Sequence, residues 1–398
     1  MGRTTMMKRA AILAVLVLAL AGCSTIKGWF GGKDAAAKKA AEPAELVDFE
    51  ATLRPVKLWS VGLGDGERRM GARQGPAVAD GRVYAAASEG VVLALDLQTG
   101  KEVWSHKTAK DERLRLSGGP GTGDGLVVVG SLGGDVIALD AANGTERWRA
   151  QVSSEVITAP AVAQGQVFVR SNDGRITAFD AATGERRWFF EFELPTLTVR
   201  GNAPLTVGPG LLFSGNDDGT LVALTMQDGR QIWEVAIGQP EGRSELERMA
   251  DVDGAPVLEG TTLYASSFKS RTVAIDGPTG RALWQSDHGG AGGIGVTSSS
   301  LLVSTAAGSV YAVDKTNGTA TWSQPALARR SLTGPAVHGD YAVVGDFDGY
   351  LHWMRLDNGQ FAARTRAGRK PIKAQPVVAD GILLVQTVQG ELTAFRLD

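Results

Sequence analysis

One motif recurs at nearly even intervals along most of the chain. It reads A-x-D-x-x-T/N-G-x-x-x-W with small variations, and six copies end at Trp104, Trp148, Trp188, Trp233, Trp284 and Trp322. Successive tryptophans are 44, 40, 45, 51 and 38 residues apart. Blades of β-propellers repeat at roughly 40–50 residues. The spacing therefore predicts an all-β ring of similar sheets.

Each repeat predicts four short strands. Alternating apolar residues, as in "VVLALD" (91–96), are typical of a strand. The Asp and Gly that follow favour a tight hairpin turn, and the chain returns in a strand that carries Trp. Upstream stretches such as "GPAVADGRVYAAASEG" (75–90) predict a second hairpin. One large ring per repeat indicates packing between blades, in preference to a stack of rings for a ligand.

The two ends of the repeat region complement each other. Trp59 lies in "KLWSVG" (57–62) with no A-x-D strand before it, whereas the terminal "ELTAFRLD" (391–398) has no Trp strand after it. Together they complete one blade. We therefore predict an eight-bladed β-propeller of four-stranded antiparallel blades over residues 52–398. An open solenoid is the alternative, but ring closure removes the exposed sheet edges that a solenoid would keep.

The amino terminus has the pattern of a secretory signal peptide over residues 1–22. Arg3, Lys8 and Arg9 precede an apolar run from residue 10 to residue 21. That run is shorter than the roughly 20 residues that a membrane-spanning helix needs. We expect the segment to be removed.

Cys23 is the one cysteine of the chain, and "LAGC" (20–23) looks like a bacterial lipobox. A lipobox implies cleavage before Cys23 and acylation of that residue, which would anchor the protein to a membrane. Ser24 in place of aspartate favours the outer membrane in such lipoproteins. The stretch from residue 23 to residue 51 is small, charged and low in aromatic residues, so it predicts a flexible tether.

Composition excludes several classes of function. Without residues 1–22 the chain has 38 basic and 43 acidic residues, a net charge of −5, and so lacks the basic footprint of a nucleic-acid-binding protein. With Cys23 acylated, neither a disulfide nor a thiolate metal site remains. The four histidines have no metal-ligand spacing. We predict no metal and no cofactor.

Two acidic pairs resemble calcium loops at first sight. Asp217-Asp218 and Asp346-x-Asp348 each lie in a hairpin that ends in Gly, and neither has the spacing of an EF-hand loop. Turn formation is the simpler interpretation. The sequence contains no G-x-S-x-G and no Walker loop, and spacing reveals no pair of nucleophile and base. We therefore predict no catalytic residues.

The repeats resemble those of the pyrroloquinoline quinone repeat family. Two classes of protein follow from that resemblance: quinoprotein dehydrogenases, and the BamB family of lipoproteins in the outer-membrane β-barrel assembly machinery. The dehydrogenases have an adjacent cysteine pair over the quinone, and some have a C-x-x-C-H haem motif, but this chain has neither. The resemblance therefore favours a protein that is not an enzyme.

Three segments resemble the BamB family in particular. They are "ELPTLTVRGNAPLTV" (193–207), "GRSELERMADVDGAPVL" (242–258) and "VVGDFDGYLHW" (343–353). The resemblance implies a scaffold that is anchored in the outer membrane, faces the periplasm and binds the POTRA domains of BamA within the Bam complex. Unfolded barrel proteins are a second class of partner that it implies.

The resemblance also implies the contact residues. They fall on Leu197, Val199 and Arg200 in the first segment and on Asp251 and Asp253 in the second, with Val199 at a position where the family commonly has leucine. Two structural alternatives remain open, namely a buried Leu197 and an internal ion pair from Arg200 to one of the two aspartates. Two functional alternatives also remain: a quinone enzyme that lost its cysteine pair, and a sensor of a small ligand in the channel.

Overall fold

The computed structural model describes most of the chain after residue 41. The described residues are 42–64, 66, 73–108, 114–195, 203–238, 251–268 and 271–398. The chain divides into a first unit, Met1–Glu45, and a second unit, Leu46–Asp398, which contains all the strands. The predicted signal peptide and Cys23 lie outside the described residues. Among the residues that are described, no helix has the length and apolar character to cross a membrane.

The described residues of the second unit include 32 strands. The first half comprises β1 (Pro55–Gly62), β2 (Ala77–Ala79), β3 (Arg82–Ala87), β4 (Val91–Asp96), β5 (Glu102–Lys107), β6 (Leu116–Gly123), β7 (Leu126–Ser131), β8 (Asp135–Asp140), β9 (Glu146–Gln151), β10 (Ala161–Ala163), β11 (Gln166–Ser171), β12 (Arg175–Asp180), β13 (Arg186–Glu191), β14 (Thr206–Val207), β15 (Leu211–Gly215) and β16 (Thr220–Thr225). The second half comprises β17 (Gln231–Ala236), β18 (Val257–Glu259), β19 (Thr262–Ser267), β20 (Arg271–Asp276), β21 (Ala282–Ser286), β22 (Gly295–Val296), β23 (Ser300–Ser304), β24 (Val310–Asp314), β25 (Ala320–Gln324), β26 (Ala336–His338), β27 (Tyr341–Gly345), β28 (Tyr350–Arg355), β29 (Phe361–Arg366), β30 (Val377–Ala379), β31 (Ile382–Gln386) and β32 (Glu391–Leu397).

These strands form eight four-stranded antiparallel sheets. Blades 1 to 7 each take four consecutive strands, from β2–β5 to β26–β29. Blade 8 has the order β30-β31-β32-β1, so the amino-terminal strand pairs with the carboxy-terminal one, from Pro55 opposite Leu397 to Gly62 opposite Glu391. The predicted eight-bladed β-propeller, closed by its two ends, is confirmed.

The hydrophobic core is divided into eight clusters, one between each pair of neighbouring blades. Val83 and Leu384, for example, share a cluster that joins blade 1 to blade 8, and Tyr84 and Val127 share the one that joins blade 1 to blade 2. The other six join the remaining neighbours in turn. Because blade 8 packs on both blade 7 and blade 1, burial itself closes the ring.

The alanine of the motif lies opposite its tryptophan. Ala94 pairs with Trp104, and Ala178 pairs with Trp188, in each case just before a β-bulge. A methyl group leaves room for the indole, and the bulge re-aims the strand that carries it. The motif thus places a large ring at the same position of each outermost strand.

Each tryptophan reaches into the following blade. Seven indole Nε1 atoms donate to a carbonyl just beyond the third strand of the next blade, at 2.7–3.0 Å, and the donors are Trp59, Trp104, Trp148, Trp188, Trp233, Trp284 and Trp322. The ring lies against the turn glycine of that blade. A Cβ on Gly184 would come within 2.7 Å of the ring of Trp148. The Asp-to-Gly turn therefore has two roles. It closes the hairpin, and it packs against the indole of the preceding blade, a contact that we call the indole seat.

The interface between blades 7 and 8 exchanges the two residues. Trp353 occupies the alanine position on β28, and Ala363 occupies the tryptophan position opposite it. Nε1 of Trp353 donates to Nδ1 of His338 at 3.3 Å, and Nε2 of His338 donates to the carbonyl of Gly381 in blade 8 at 2.9 Å. A two-step relay thus replaces the single bond of the other seven interfaces.

The ring has two distinct faces. On one, which we call the turn face, lie the turns after the first and third strands of each blade, as shown by the bond from Ala181 N to Gly165 O. On the other, the connection face, lie the turns after the second strands and the connections between blades, as shown by the bond from Phe192 N to Gly174 O. The connections that follow β13 and β17 begin on the connection face, and residues 196–202 and 239–250 within them lie outside the described residues.

Residues 46–53, which we call the strap, lie along the outer strand of blade 7. The rings of Phe49 and Phe361 stack with centroids 5.3 Å apart, and Leu53 N donates to Ala362 O at 3.1 Å. Leu46 packs into the cluster between blades 6 and 7. Residues 46–51 belong to the predicted tether, yet Leu46 and Phe49 are partly buried on the propeller, whereas Val47 is exposed.

Substitution of a turn glycine tests the role of the indole seats. Gly184→Ala places a methyl group against Trp148 at a residue with φ of +74°, so steric overlap adds to backbone strain. We expect a loss of roughly 2–4 kcal/mol in the free energy of unfolding. The midpoint of urea unfolding measures it.

Gly165→Ala is the matched control. Its φ is +72°, but no atom lies within 4 Å of the added Cβ. It should therefore lose only the strain, about 1 kcal/mol. Equal losses for the two variants would contradict the proposed role of the indole seat.

Candidate partner-binding face

A cavity of about 210 Å³ opens at the centre of the connection face. Its walls are the segments that precede the innermost strands of six blades, together with Gly119 and Pro120 within β6 of blade 2. Pro204, which follows the 196–202 connection, and Asp253, which follows the 239–250 connection, both line it. The two segments that resemble the BamB family therefore converge on one mouth of the channel.

The structure describes two of the five predicted contact residues. Leu197, Val199 and Arg200 lie outside the described residues. Asp251 and Asp253 are described, and both are buried, with 0% and 3% of their surface exposed. Contact of these two residues with a partner stays a prediction, and the structure adds that both side chains are buried.

The backbone of Asp251 and Val252 forms hydrogen bonds to blades 4 and 5. Val252 N donates to Asn216 O at 3.1 Å, and Phe268 N donates to Asp251 O at 2.8 Å. The Val252 side chain is fully buried against Gly215. The segment therefore has a set position on the rim before any partner binds.

Few contacts offset the cost of burying the charged carboxylate of Asp253. Nη2 of Arg73 lies 3.6 Å from its Oδ2, but neither oxygen accepts a hydrogen bond from the described part of the chain. Burial raises the pKa of Asp253 to about 7, and the guanidinium of Arg73 opposes only part of that rise. The sequence left open an ion pair between Arg200 and either Asp251 or Asp253. In the structure, Arg73 is the cation that lies beside Asp253.

A buried cation, Arg170, also lies next to this segment. Arg170 on β11 is 1% exposed, and its Nη2 donates to Oδ1 of Asp217 at 3.0 Å. Its Nη1 donates to the carbonyl of Gly215. Burial lowers the pKa of Arg170, and the charge of Asp217 opposes that change. Burial likewise raises the pKa of Asp217, against the opposing charge of Arg170.

The two acidic pairs act in turns, as predicted. Asp218 Oδ1 accepts from the amide of Thr220 at 2.9 Å, and Asp346 Oδ1 accepts from the amide of Tyr350 at 2.9 Å. Asp346 also forms a buried ion pair, because its Oδ2 accepts from Nε of Arg330 at 2.8 Å. Within the described residues, no group of three histidine, cysteine, aspartate or glutamate side chains has the arrangement of a metal site.

Arg170 is absent from the predicted site residues, although the repeat contains a signal for it. In each blade the equivalent residue of the second strand pairs with the first or second residue of the third strand. The other seven are Ala86, Gly130, Gly215, Ser266, Ser304, Gly345 and Gln386. Six of them are small, so a large cation at this position departs from the repeat.

A second cleft lies elsewhere, on the turn face of blades 1 to 3. It has a volume of about 850 Å³. Two ion pairs in its walls are each formed within one blade, Arg147 with Asp140 and Arg187 with Asp180. These pairs belong to the repeated hairpin turns, and the cleft is far from the connections that depart from the repeat.

Comparison with known proteins identifies relatives along the whole chain. The family described as "Outer membrane protein assembly factor BamB" matches residues 56–117, 88–324 and 306–398. A curated protein of that name from Xanthomonas campestris pv. campestris is 66% identical over 100% of this chain and 99% of its own length.

Solved structures agree on the fold. The crystal structure of BamB from Moraxella catarrhalis, 25% identical, covers 86% of this chain and 100% of that chain with a TM-score of 0.77. The quinohemoprotein alcohol dehydrogenase of Comamonas testosteroni covers 86% of this chain and 76% of that one with a TM-score of 0.65, but at 17% identity it shares the fold alone.

The raised pKa of Asp253 predicts a pH dependence of stability. Between about pH 4 and pH 7 the folded state holds a proton on Asp253 that the unfolded state has released, so stability falls as pH rises through this range. Asp253→Asn removes that loss. From pH 5 to pH 8, wild type should lose about 2 kcal/mol more than the variant does, which urea midpoints at the two pH values measure.

Asp180→Asn provides the control. The hydrogen bond from Arg187 and the amide of Thr183 lower the pKa of Asp180 to about 2, so Asp180 does not titrate between pH 5 and pH 8. This variant should lose stability equally at both values. A wild-type pH dependence that Asp253→Asn leaves unchanged would rule out the assigned titration.

Proposed function

The chain belongs to the BamB family of outer membrane protein assembly factors, and we propose that it acts as a scaffold in the assembly of β-barrel proteins in the outer membrane. In this role it would bind the periplasmic POTRA domains of BamA within the Bam complex. The convergence of both connections on one mouth of the ring carries the proposal, because it brings together the two segments that depart from the repeat. Binding alone suffices for this role, without a catalytic step.

The proposed position in the cell is the periplasmic side of the outer membrane, with acyl chains on Cys23 as the anchor. Two or three such chains, at about 0.8 kcal/mol for each buried methylene group, would hold the protein firmly. Anchoring also raises its effective concentration near a membrane-bound partner. Mass spectrometry of the native amino-terminal peptide should find an acylated Cys23, and an unmodified thiol would contradict the anchor.

We assign the predicted residues to two roles on this face. Leu197 and Val199 would supply apolar contact, and Arg200 would set the orientation of the partner through charge. Asp251 and Asp253 would support the contact from below, because their side chains are buried. Contact of unfolded barrel proteins with the outer strands remains a prediction of the resemblance.

Reversal of one charge tests the assigned face. Arg200→Glu should abolish co-purification of the BamA protein from detergent-extracted membranes, since it places a like charge against an acidic site on the partner. A thermal melt should show an intact fold. A folded variant that still co-purifies normally would refute the assignment of this face.

Lys101→Glu is the matched control. Lys101 is exposed and follows the turn glycine of blade 1, on the turn face. The change in net charge is the same, so an effect of overall charge would appear in both variants. Co-purification should be normal with Lys101→Glu. Loss with both variants would show that net charge, rather than the connection face, determines binding.

A further inference from the structure

Arg170 lies between the bases of the two connections that form the proposed contact face. Its guanidinium extends from blade 3 into blade 4, where it bonds the carbonyl of Gly215 and the carboxylate of Asp217. Nη1 of Arg170, which donates to the Gly215 carbonyl, also lies 3.5 Å from the hydroxyl oxygen of Ser214. Arg170 therefore fixes the turn after β15 relative to blade 3.

The first connection begins beside Arg170. Its Cζ lies 5.9 Å from the ring centroid of Phe192, which is four residues before Thr196, where the connection leaves the described residues. Phe192 is itself fixed by the bond from its amide to Gly174 O and by edge contact with Phe190, at 5.0 Å between centroids. The guanidinium thus contacts the last fixed aromatic residue before Leu197.

The second connection ends on the backbone that Arg170 holds. Val252 bonds Asn216 O and packs on Gly215, whose carbonyl accepts from Arg170. The positive charge of Arg170 also acts on Asp253. One buried cation therefore joins the approach to the first connection with the end of the second.

We infer that Arg170 is a positioning residue for partner binding, which holds the described ends of the two connections, residues 192–195 and 251–254, in the mutual arrangement that the partner recognises. The inference rests on the proposed function. Arg170 itself makes no contact with the partner, because it is buried. Its planar fork suits the task, since it bonds a carbonyl and a carboxylate in fixed directions at once.

A second buried pair separates positioning from plain stabilisation. Arg330 is 4% exposed and donates to Asp346 at 2.8 Å and to Asp348 at 2.8 Å, between blades 6 and 7. It is an arginine–aspartate pair of the same kind on the same face, but its turn belongs to blade 7. Arg330→Met should therefore reduce stability as Arg170→Met does, without affecting the contact segments.

The experiment measures the Kd of the full-length acylated chain in detergent for detergent-solubilised BamA. We expect Arg170→Met to weaken binding about tenfold or more, a change of about 1.4 kcal/mol. Arg330→Met should leave the Kd within about twofold while it lowers the melting temperature to a similar extent. Hydrogen exchange should show lost protection at Val252 with Arg170→Met only.

If Arg170→Met does not fold, Arg170→Lys is the variant to measure. It keeps charge and most of the volume, but an ammonium group cannot reproduce the fork, so binding should still weaken while the fold persists. If the folded Arg170 variants bind as tightly as Arg330→Met, the inference is wrong. If the wild-type chain itself fails to bind BamA, the proposed function fails instead.

Discussion

The ring depends on one repeated contact, an indole that crosses from one blade to the next. The ring lies on a turn glycine, and its N–H bonds a carbonyl of the same turn, as with Trp148 against Gly184 and Ala181. Burial of such a side chain contributes roughly 2–3 kcal/mol, and its hydrogen bond about 1 kcal/mol more. Seven of the eight interfaces share this contact, so each of these blades is joined to the next in the same way. The Trp353–His338–Gly381 relay and the pairing of β1 with β32 then complete the ring.

Because the blades repeat so regularly, residues that differ from the repeat point to a specific role. Two large buried cations, Arg170 and Arg330, lie at points where the repeat does not call for them. Arg330 adjoins blade 7, whose outer strand carries the strap, and Arg170 adjoins blades 3 to 5, where both long connections arise. Blade 7 and blades 3 to 4 lie on opposite sides of an eight-membered ring. The strap and the blades from which the two long connections arise thus lie on different sides of the ring.

The sequence predicted the ring because its determinants are local. Alanine, aspartate, glycine and tryptophan of one motif lie within eleven residues, and each has its structural role at a fixed spacing. The charge network could not be predicted in this way, because Arg170 lies 47 residues from Asp217 and pairs with it only when two blades meet. The burial of Asp251 and Asp253 and the packing of residues 46–51 have the same origin, since both depend on contacts between distant segments.

Site-specific photocrosslinking in intact outer membranes tests most directly whether the connection face of this ring meets the partner. A photoreactive residue at exposed Glu193 reports on the connection face of blade 3, and one at exposed Ala182 reports on the turn face of the same blade. Our account predicts crosslinks from position 193 to the BamA protein and none from position 182. Crosslinks from position 182 alone would contradict it.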